Sequence, residues 1–204
     1  GKNGAAIIMD ATNGEILAAG SYPEYNLNYF VGGISYKNWN ALRDSPYKPL
    51  INKIVNGLYP PGSVVKMGMG LAFLEYAKID ENEEIITPAF IESGGRKFRD
   101  WKKEGHGKSN LYKAIKRSVD VYFYLLSQKV DFENVADVLK QMGLGEKTGV
   151  DLPNESKGIV PSPSYKMQRL KQKWYDGDSI ISSIGQGKFL TTPLQIANYT
   201  ALIA

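Results

Sequence analysis

The stretch Tyr59-Pro60-Pro61-Gly62-Ser63-Val64-Val65-Lys66, with the apolar run behind it, constrains this chain more than any other segment. Two prolines and a glycine forbid a helix up to Gly62, and a helix-favouring segment opens at Ser63. Met67, Met69, Leu71, Ala72, Phe73, Leu74 and Ala77 continue it, apolar nearly all round, so the pattern predicts a central, buried helix. Ser63 and Lys66 stand three apart on one face of its first turn, where backbone N–H groups lack intrahelical partners. A hydroxyl beside an amine at such a terminus suits an activated serine nucleophile.

Spacing alone is weak support. With 14 Ser and 20 Lys in the chain, chance gives roughly one or two Ser-x-x-Lys matches. A second match, Ser45-Pro46-Tyr47-Lys48, has Pro46 between its partners and Pro49 next, so no helix continues through it. The plain alternative for Ser63 and Lys66 is an N-cap serine followed by a solvated lysine. Against it, Lys66 lies among Val64, Val65, Met67 and Met69, and charges are rarely buried without a partner or a task.

At 204 residues, with 43% hydrophobic and 23% charged residues, the chain can bury a substantial core as one large domain or two small ones. Its formal charge of +4 gathers at 96–103 and 166–173, which read as solvated loops and a polar helix face. Acidic residues are interspersed and no nucleic-acid motif is present, which argues against a nucleic-acid partner. An anionic wall polymer or a membrane surface would suit the sign. Without cysteine there are no disulfides, thiolate catalysis or Cys-based metal sites. No run is long and apolar enough to span a membrane, and no signal peptide opens the chain. The start, Gly1-Lys2-Asn3-Gly4, and the apolar end, Ala201-Leu202-Ile203-Ala204, have the look of cut ends, so an excised piece of a longer protein is expected.

Ala5 to Met9 and Glu15 to Ala19 flank Asp10-Ala11-Thr12-Asn13-Gly14, a strong hairpin signal. Residues 20–60 read as loops with short helices. Short strands are predicted at 84–86 and 97–99. Asn110 caps a predicted helix over 111–117, another runs over 119–129, and Asp131 caps a third over 132–142, stopped by Gly143. Thr192-Pro193 starts a last helix with Leu194, Ile196, Ala197 and Leu202 facing inward. The class is α+β.

Downstream of Ser63 come Ser118-Val119-Asp120, at a junction of two helical segments, and Gly185-Gln186-Gly187 ahead of Thr192-Pro193-Leu194-Gln195. With Gly4-Ala5-Ala6 to Pro23 and the Tyr59-to-Ser63 stretch, these motifs resemble the transpeptidase domain of class B penicillin-binding proteins. Phe98-Arg99-Asp100-Trp101-Lys102-Lys103, Gly105-His106-Gly107, Thr148 to Pro153 and Trp174-Tyr175-Asp176-Gly177-Asp178 resemble the elongation-type subfamily, penicillin-binding protein 2. Many separated motifs in one order, from about residue 4 to the end, make this resemblance specific.

The resemblance implies an incomplete penicillin-binding protein and serine β-lactamase-like fold, with 1–204 a partial transpeptidase domain. A membrane anchor, a pedestal region and the C-terminal active-site strands are expected outside the chain, and the periplasmic face of the bacterial inner membrane is the implied location. By the same resemblance, Ser63 attacks the penultimate D-alanine carbonyl of a peptidoglycan stem peptide to form an acyl-enzyme, and Lys66 takes its proton. Ser118 relays a proton towards the leaving D-alanine, and Asp120 stands where many relatives carry Asn. β-Lactams imitate the D-alanyl-D-alanine end and remain on the serine. Glycosyltransferase and elongation-complex scaffold partners are implied, and no cofactor.

Lys66 must be deprotonated to act as a base, and for a free lysine at neutral pH that costs roughly 4 kcal/mol. Burial and a nearby cation help; an ionised carboxylate opposes. Asp120 is therefore expected to bond backbone or Ser118, or to ionise as a coupled pair with Lys66. Helix capping alone is the plain alternative for Ser118 and Asp120.

Lys147-Thr148-Gly149 spells the family's third motif in the wrong place. It precedes Val150-Asp151-Leu152-Pro153, and Gly143, Gly145 and Gly149 frame it as a turn. The true third motif, with one oxyanion-hole donor, is expected after the last helix, which would leave these residues alone a poor enzyme. His106, the one histidine, lies among glycines near Asp100, a pair that some relatives complete with further metal ligands. Thr87 and Val119 occupy those places here, so no zinc is expected, and a loop-tethering His106–Asp100 contact is the simpler account. Two further readings stay open at this level: a serine β-lactamase, for which no deacylating base stands out, and a non-catalytic interaction module.

Overall fold

The structure, a computed structural model, describes residues 3–204. Gly1 and Lys2, part of the expected cut start, lie outside the described residues. In chain order the first elements are β1 (Gly4–Met9), β2 (Ile16–Tyr22), α1 (Tyr36–Arg43), α2 (Lys66–Tyr76), β3 (Ile85–Thr87), β4 (Phe90–Ser93), β5 (Arg96–Arg99) and β6 (Gly107–Ser109). Then follow α3 (Leu111–Lys116), α4 (Asp120–Ser127), α5 (Phe132–Gln141), α6 (Pro163–Leu170), α7 (Asp176–Ser182) and α8 (Pro193–Ile203). The mixture is α+β, as expected. The chain divides into two compact units, one holding the segment up to Tyr59 with Glu146–Gly158 and Thr191–Ala204, the other Pro60–Gly145 with Ile159–Leu190.

In the first unit, β1 and β2 form the antiparallel hairpin that Asn13-Gly14 announces, with Gly14 at φ +79°. Alternation sets its face: Ile7 and Met9 pack with Ala5 and Val150 on a small core of Ile54, Val55 and Leu194, while Ile8 points outward. Thr192 and Gln195 close a reciprocal capping box at the start of α8, and Pro193 occupies its first turn. The Gln195 amide also donates to the carbonyls of Glu146 (2.6 Å) and Lys157 (2.7 Å), fixing both ends of the inserted loop. Leu202 departs from expectation. It is 62% exposed, because burial along α8 ends with Tyr199, and Gln195 and Tyr199 take the inward positions instead.

Lys147-Thr148-Gly149 lies in that loop and in no strand, as expected. Glu155 organises it, accepting from Thr148 N (2.7 Å), Thr148 Oγ1 (2.6 Å) and Gly149 N (3.2 Å). Burial alone would push the Glu155 carboxyl up, yet these donors together hold it below the usual carboxylate range.

In the second unit α2 packs on α3, α4 and α5. Its buried face is Lys66, Gly68, Met69, Gly70, Ala72 and Phe73. The helix is thus not buried all round: Leu71 is 50% exposed on the opposite side. The predicted start also resolves more finely, as a 3-10 turn over Gly62–Val65 that passes into the α-helix at Lys66. α4 and α5 carry the apolar faces that their periodicity predicts, and Asp131 caps α5 through Glu133 N (2.9 Å). The strands pair as β3–β6 and β4–β5, so the predicted pieces at 84–86 and 97–99 each acquire a partner strand that the sequence did not reveal. The basic segment after Pro163 is helical over α6, entered by Ser162 as N-cap.

One glycine governs how the 3-10 turn is seated. Gly62 N donates to Gly185 O at 2.9 Å. Gly185 has φ +68°, and a Cβ on it would lie 2.7 Å from Gly62 N. A side chain there meets both a left-handed backbone and a rigid neighbour. Gly185→Ala is expected to lower stability by about 1–3 kcal/mol, visible as a reduced Tm in thermal unfolding. An unchanged Tm would contradict this seating.

Candidate active site

Ser63, Lys66, Ser118 and Asp120 all lie in the second unit, and the fold brings them into one cluster. Ser63 sits in the 3-10 turn with its residue surface open to solvent. Lys66, one turn on, opens α2 and is 2% exposed. The amine is enclosed on the inner face of the helix while the hydroxyl remains reachable.

The second pair arrives from the junction of α3 and α4. Asn110 caps α3 through Lys113 N (3.0 Å). The chain then reverses at Ser118, whose φ of +52° is left-handed. For a residue with a Cβ that conformation costs on the order of 1–2 kcal/mol. It is held by Ser118 N bonding Ile115 O (3.1 Å) and Val119 N bonding Ala114 O (2.9 Å). The reversal puts Ser118 Oγ 2.9 Å from Ser63 Oγ and 3.1 Å from Lys66 Nζ. The Ser118 hydroxyl thereby links alcohol to amine. Asp120 is the first residue of α4, where the helix N-terminus favours an anion.

Lys66 Nζ donates to Ser118 O (3.0 Å), Ser118 Oγ (3.1 Å) and Asp120 Oδ1 (2.5 Å), one acceptor for each ammonium hydrogen. The Phe123 ring lies 5.3 Å from the same nitrogen. Of the arrangements expected for Asp120, direct contact with the lysine is the one present. Burial is the largest influence and pulls the Lys66 amine below its ordinary value, against the pull of Asp120 and, more weakly, Asp100 towards the charged form. A neutral amine is thereby brought closer to physiological pH without losing its carboxylate partner.

The His106 side chain is 5% exposed and contacts Asp100 Oδ1 at 3.1 Å, the loop-tethering contact that the sequence suggests. Lys113 Nζ donates to His106 O at 2.8 Å. Thr87 bonds Gly107 O (2.7 Å) and Ser109 Oγ (3.0 Å), Val119 is apolar, and no cluster of three acidic, His or Cys ligands occurs among the described residues.

Sequence reasoning missed two residues that reach the cluster. The Trp101 indole N–H donates to Ser118 O, and Asp100 Oδ2 accepts from Val121 N. Trp101 is read from the sequence only as part of the resemblance and Asp100 only as the partner of His106, and nothing in their local spacing points to residues 17 to 21 positions away.

The model of the penicillin-binding protein transpeptidase domain matches residues 4–204. The peptidoglycan D,D-transpeptidase MrdA of Acinetobacter baumannii is 46% identical over 206 residues, covering 100% of the chain and 31% of the relative. Among solved structures, the complex of penicillin-binding protein PBP2 with MreC from Helicobacter pylori matches with a TM-score of 0.96 and 61% identity, covering 100% of this chain and 38% of that one. Pseudomonas aeruginosa PBP2 in complex with WCK 5153 matches with a TM-score of 0.93 and 38% identity, over 100% of this chain and 47% of that one. The chain therefore spans about a third, 31%, of the length of the curated relatives it matches.

Removing the charge at position 120 isolates the balance around the lysine. Asp120→Asn takes away an upward pull and leaves burial less opposed, so the Lys66 pKa falls further. Titration of the 15N-labelled Lys66 amine by NMR reads this directly. A rise in the variant would show that Asp120 does not act as the stabilising counter-charge.

Proposed function

This chain belongs to the penicillin-binding protein transpeptidase domain family, and from that premise we propose that it carries the acylation centre of a peptidoglycan D,D-transpeptidase of the elongation type. Both compact units are read as parts of one transpeptidase domain. The observation that carries the proposal is the unbroken contact chain from Ser63 Oγ through Ser118 Oγ to Lys66 Nζ, with steps of 2.9 and 3.1 Å.

The chemistry follows from that chain. Neutral Lys66 accepts a proton from Ser118 as Ser118 accepts one from Ser63, by rotation of two hydroxyls. Ser63 Oγ then attacks the carbonyl carbon of the penultimate D-alanine of a stem peptide. The tetrahedral adduct collapses with cleavage of the C–N bond, and the lysine proton returns through Ser118 to the departing D-alanine amine. An amine from a neighbouring stem peptide attacks the ester, gives up its proton along the same route and restores the Ser63 hydroxyl. Asp120 stabilises the ammonium formed midway, in a site dry enough for one carboxylate to matter. A β-lactam enters by the same attack, its ring amide opening in place of the peptide bond.

The relatives support the wider setting. The Helicobacter pylori protein is known in complex with MreC, and a more distant match at 30% identity belongs to a peptidoglycan synthase complex. A scaffold protein and a glycan polymerase are the partners proposed for this protein, at the periplasmic face of the inner membrane, and these complexes support the reading. No helix among the described residues is long and apolar enough to cross a membrane.

Ser63→Ala decides the central point. The intact protein should form a stable covalent adduct with a fluorescent penicillin, and the variant should form none while keeping its Tm. Labelling of the variant at the wild-type rate would overturn Ser63 as nucleophile; rapid turnover of the wild-type adduct would favour a β-lactamase instead.

A further inference from the structure

The chain leaving β5 passes Asp100 and Trp101, and both side chains reach the junction between α3 and α4. The Trp101 indole N–H is shared between Arg117 O (3.3 Å) and Ser118 O (3.1 Å). These carbonyls lie just past α3, where a helix leaves its last acceptors without intrahelical donors. The buried Asp100 carboxylate accepts from Val121 N (3.1 Å) and Lys102 N (3.1 Å) and contacts His106 at 3.1 Å. His106 in turn meets the Trp101 ring edge-on, with centroids 5.3 Å apart. The two residues thus hold the chain at Arg117 and Ser118 and again at Val121, just before and just after the turn.

Ser118 O has a second donor, Lys66 Nζ at 3.0 Å. We propose that Trp101 is a positioning residue for acyl transfer, whose indole N–H fixes the Ser118 carbonyl and shares it with the Lys66 amine. The inference rests on Lys66 as the proton acceptor. A carbonyl oxygen has two lone pairs, so both donors can be seated. Each donor polarises the oxygen and makes it a poorer acceptor for the other. An acceptor that bonds the ammonium favours the charged lysine; one already engaged by an indole favours it less. Trp101 therefore acts in the same direction as burial, while also holding the strained turn that aims Ser118 Oγ at Ser63. The charged groups that influence Lys66 are Asp120 and Asp100, and Tyr124, next to both, is held neutral by its own burial. None of these is altered by a change at position 101.

Trp101→Phe keeps an aromatic ring on the His106 side and removes the N–H together with the fused five-membered ring. Trp101 is 62% exposed, so the substitution should leave the fold intact and lower Tm by no more than about 2–4 °C, the worth of one hydrogen bond. The rate constant for acylation by a fluorescent penicillin is measured on the intact protein across pH. The variant should acylate about fivefold more slowly near neutrality, the effect of one lost hydrogen bond, with the acid limb of its profile displaced to higher pH. A rate lowered equally at every pH, a changed KM with an unmoved limb, or no change at all would each overturn the proposal. A wild-type profile without an acid limb would remove Lys66 as base, and this proposal with it. Should the variant fail to fold, the unmodified protein still decides. The Trp101 indole proton should exchange with solvent more slowly than a free indole despite the exposed ring, and free exchange would refute the bond.

Discussion

A lysine amine withdrawn from water is the constraint on which the second unit depends. Lys66 is 2% exposed, and three acceptors surround its nitrogen. Burying an unpaired ammonium there would be prohibitive, so the position demands a partner, and Asp120 supplies one across 54 residues of sequence. A carboxylate alone would lock the lysine in its charged form. Burial opposes this, and the result is an amine below its ordinary pKa that still has a counter-charge for the moment it takes a proton.

The surrounding elements can be understood as the means of holding that balance. Pro60, Pro61 and Gly62 delay helix formation until Ser63 stands at the turn before α2. Gly185 lets a second segment close on that turn where any side chain would collide. The α3–α4 junction accepts a left-handed serine because its amides and carbonyls are engaged on both sides, including by Trp101 and Asp100. The histidine tethers this support through Asp100.

The first unit reads more simply. The turn at Asn13-Gly14 and the helix start at Thr192-Pro193 are local signals, and each appears where it is expected, with Gln195 completing a capping box. Gln195 also joins the two ends of the loop that carries Lys147-Thr148-Gly149. The three donors gathered by Glu155 explain why that tripeptide is a loop rather than the strand its spelling suggests.

By itself the sequence named the four polar residues of the cluster, through the motifs it shares with a family, and it determined several elements: the delayed helix, the caps at Asn110 and Asp131, and the hairpin. These follow from interactions within a few residues, where periodicity and capping act. Tertiary structure decided which charges meet and which faces are covered. It assigned Asp120 to Lys66, turned Leu71 and Leu202 outward, supplied partner strands for short segments and brought Trp101 to Ser118. Burial and pairing between residues far apart in the chain leave no mark on local spacing, so the electrostatics of the site emerge only when the helices are packed.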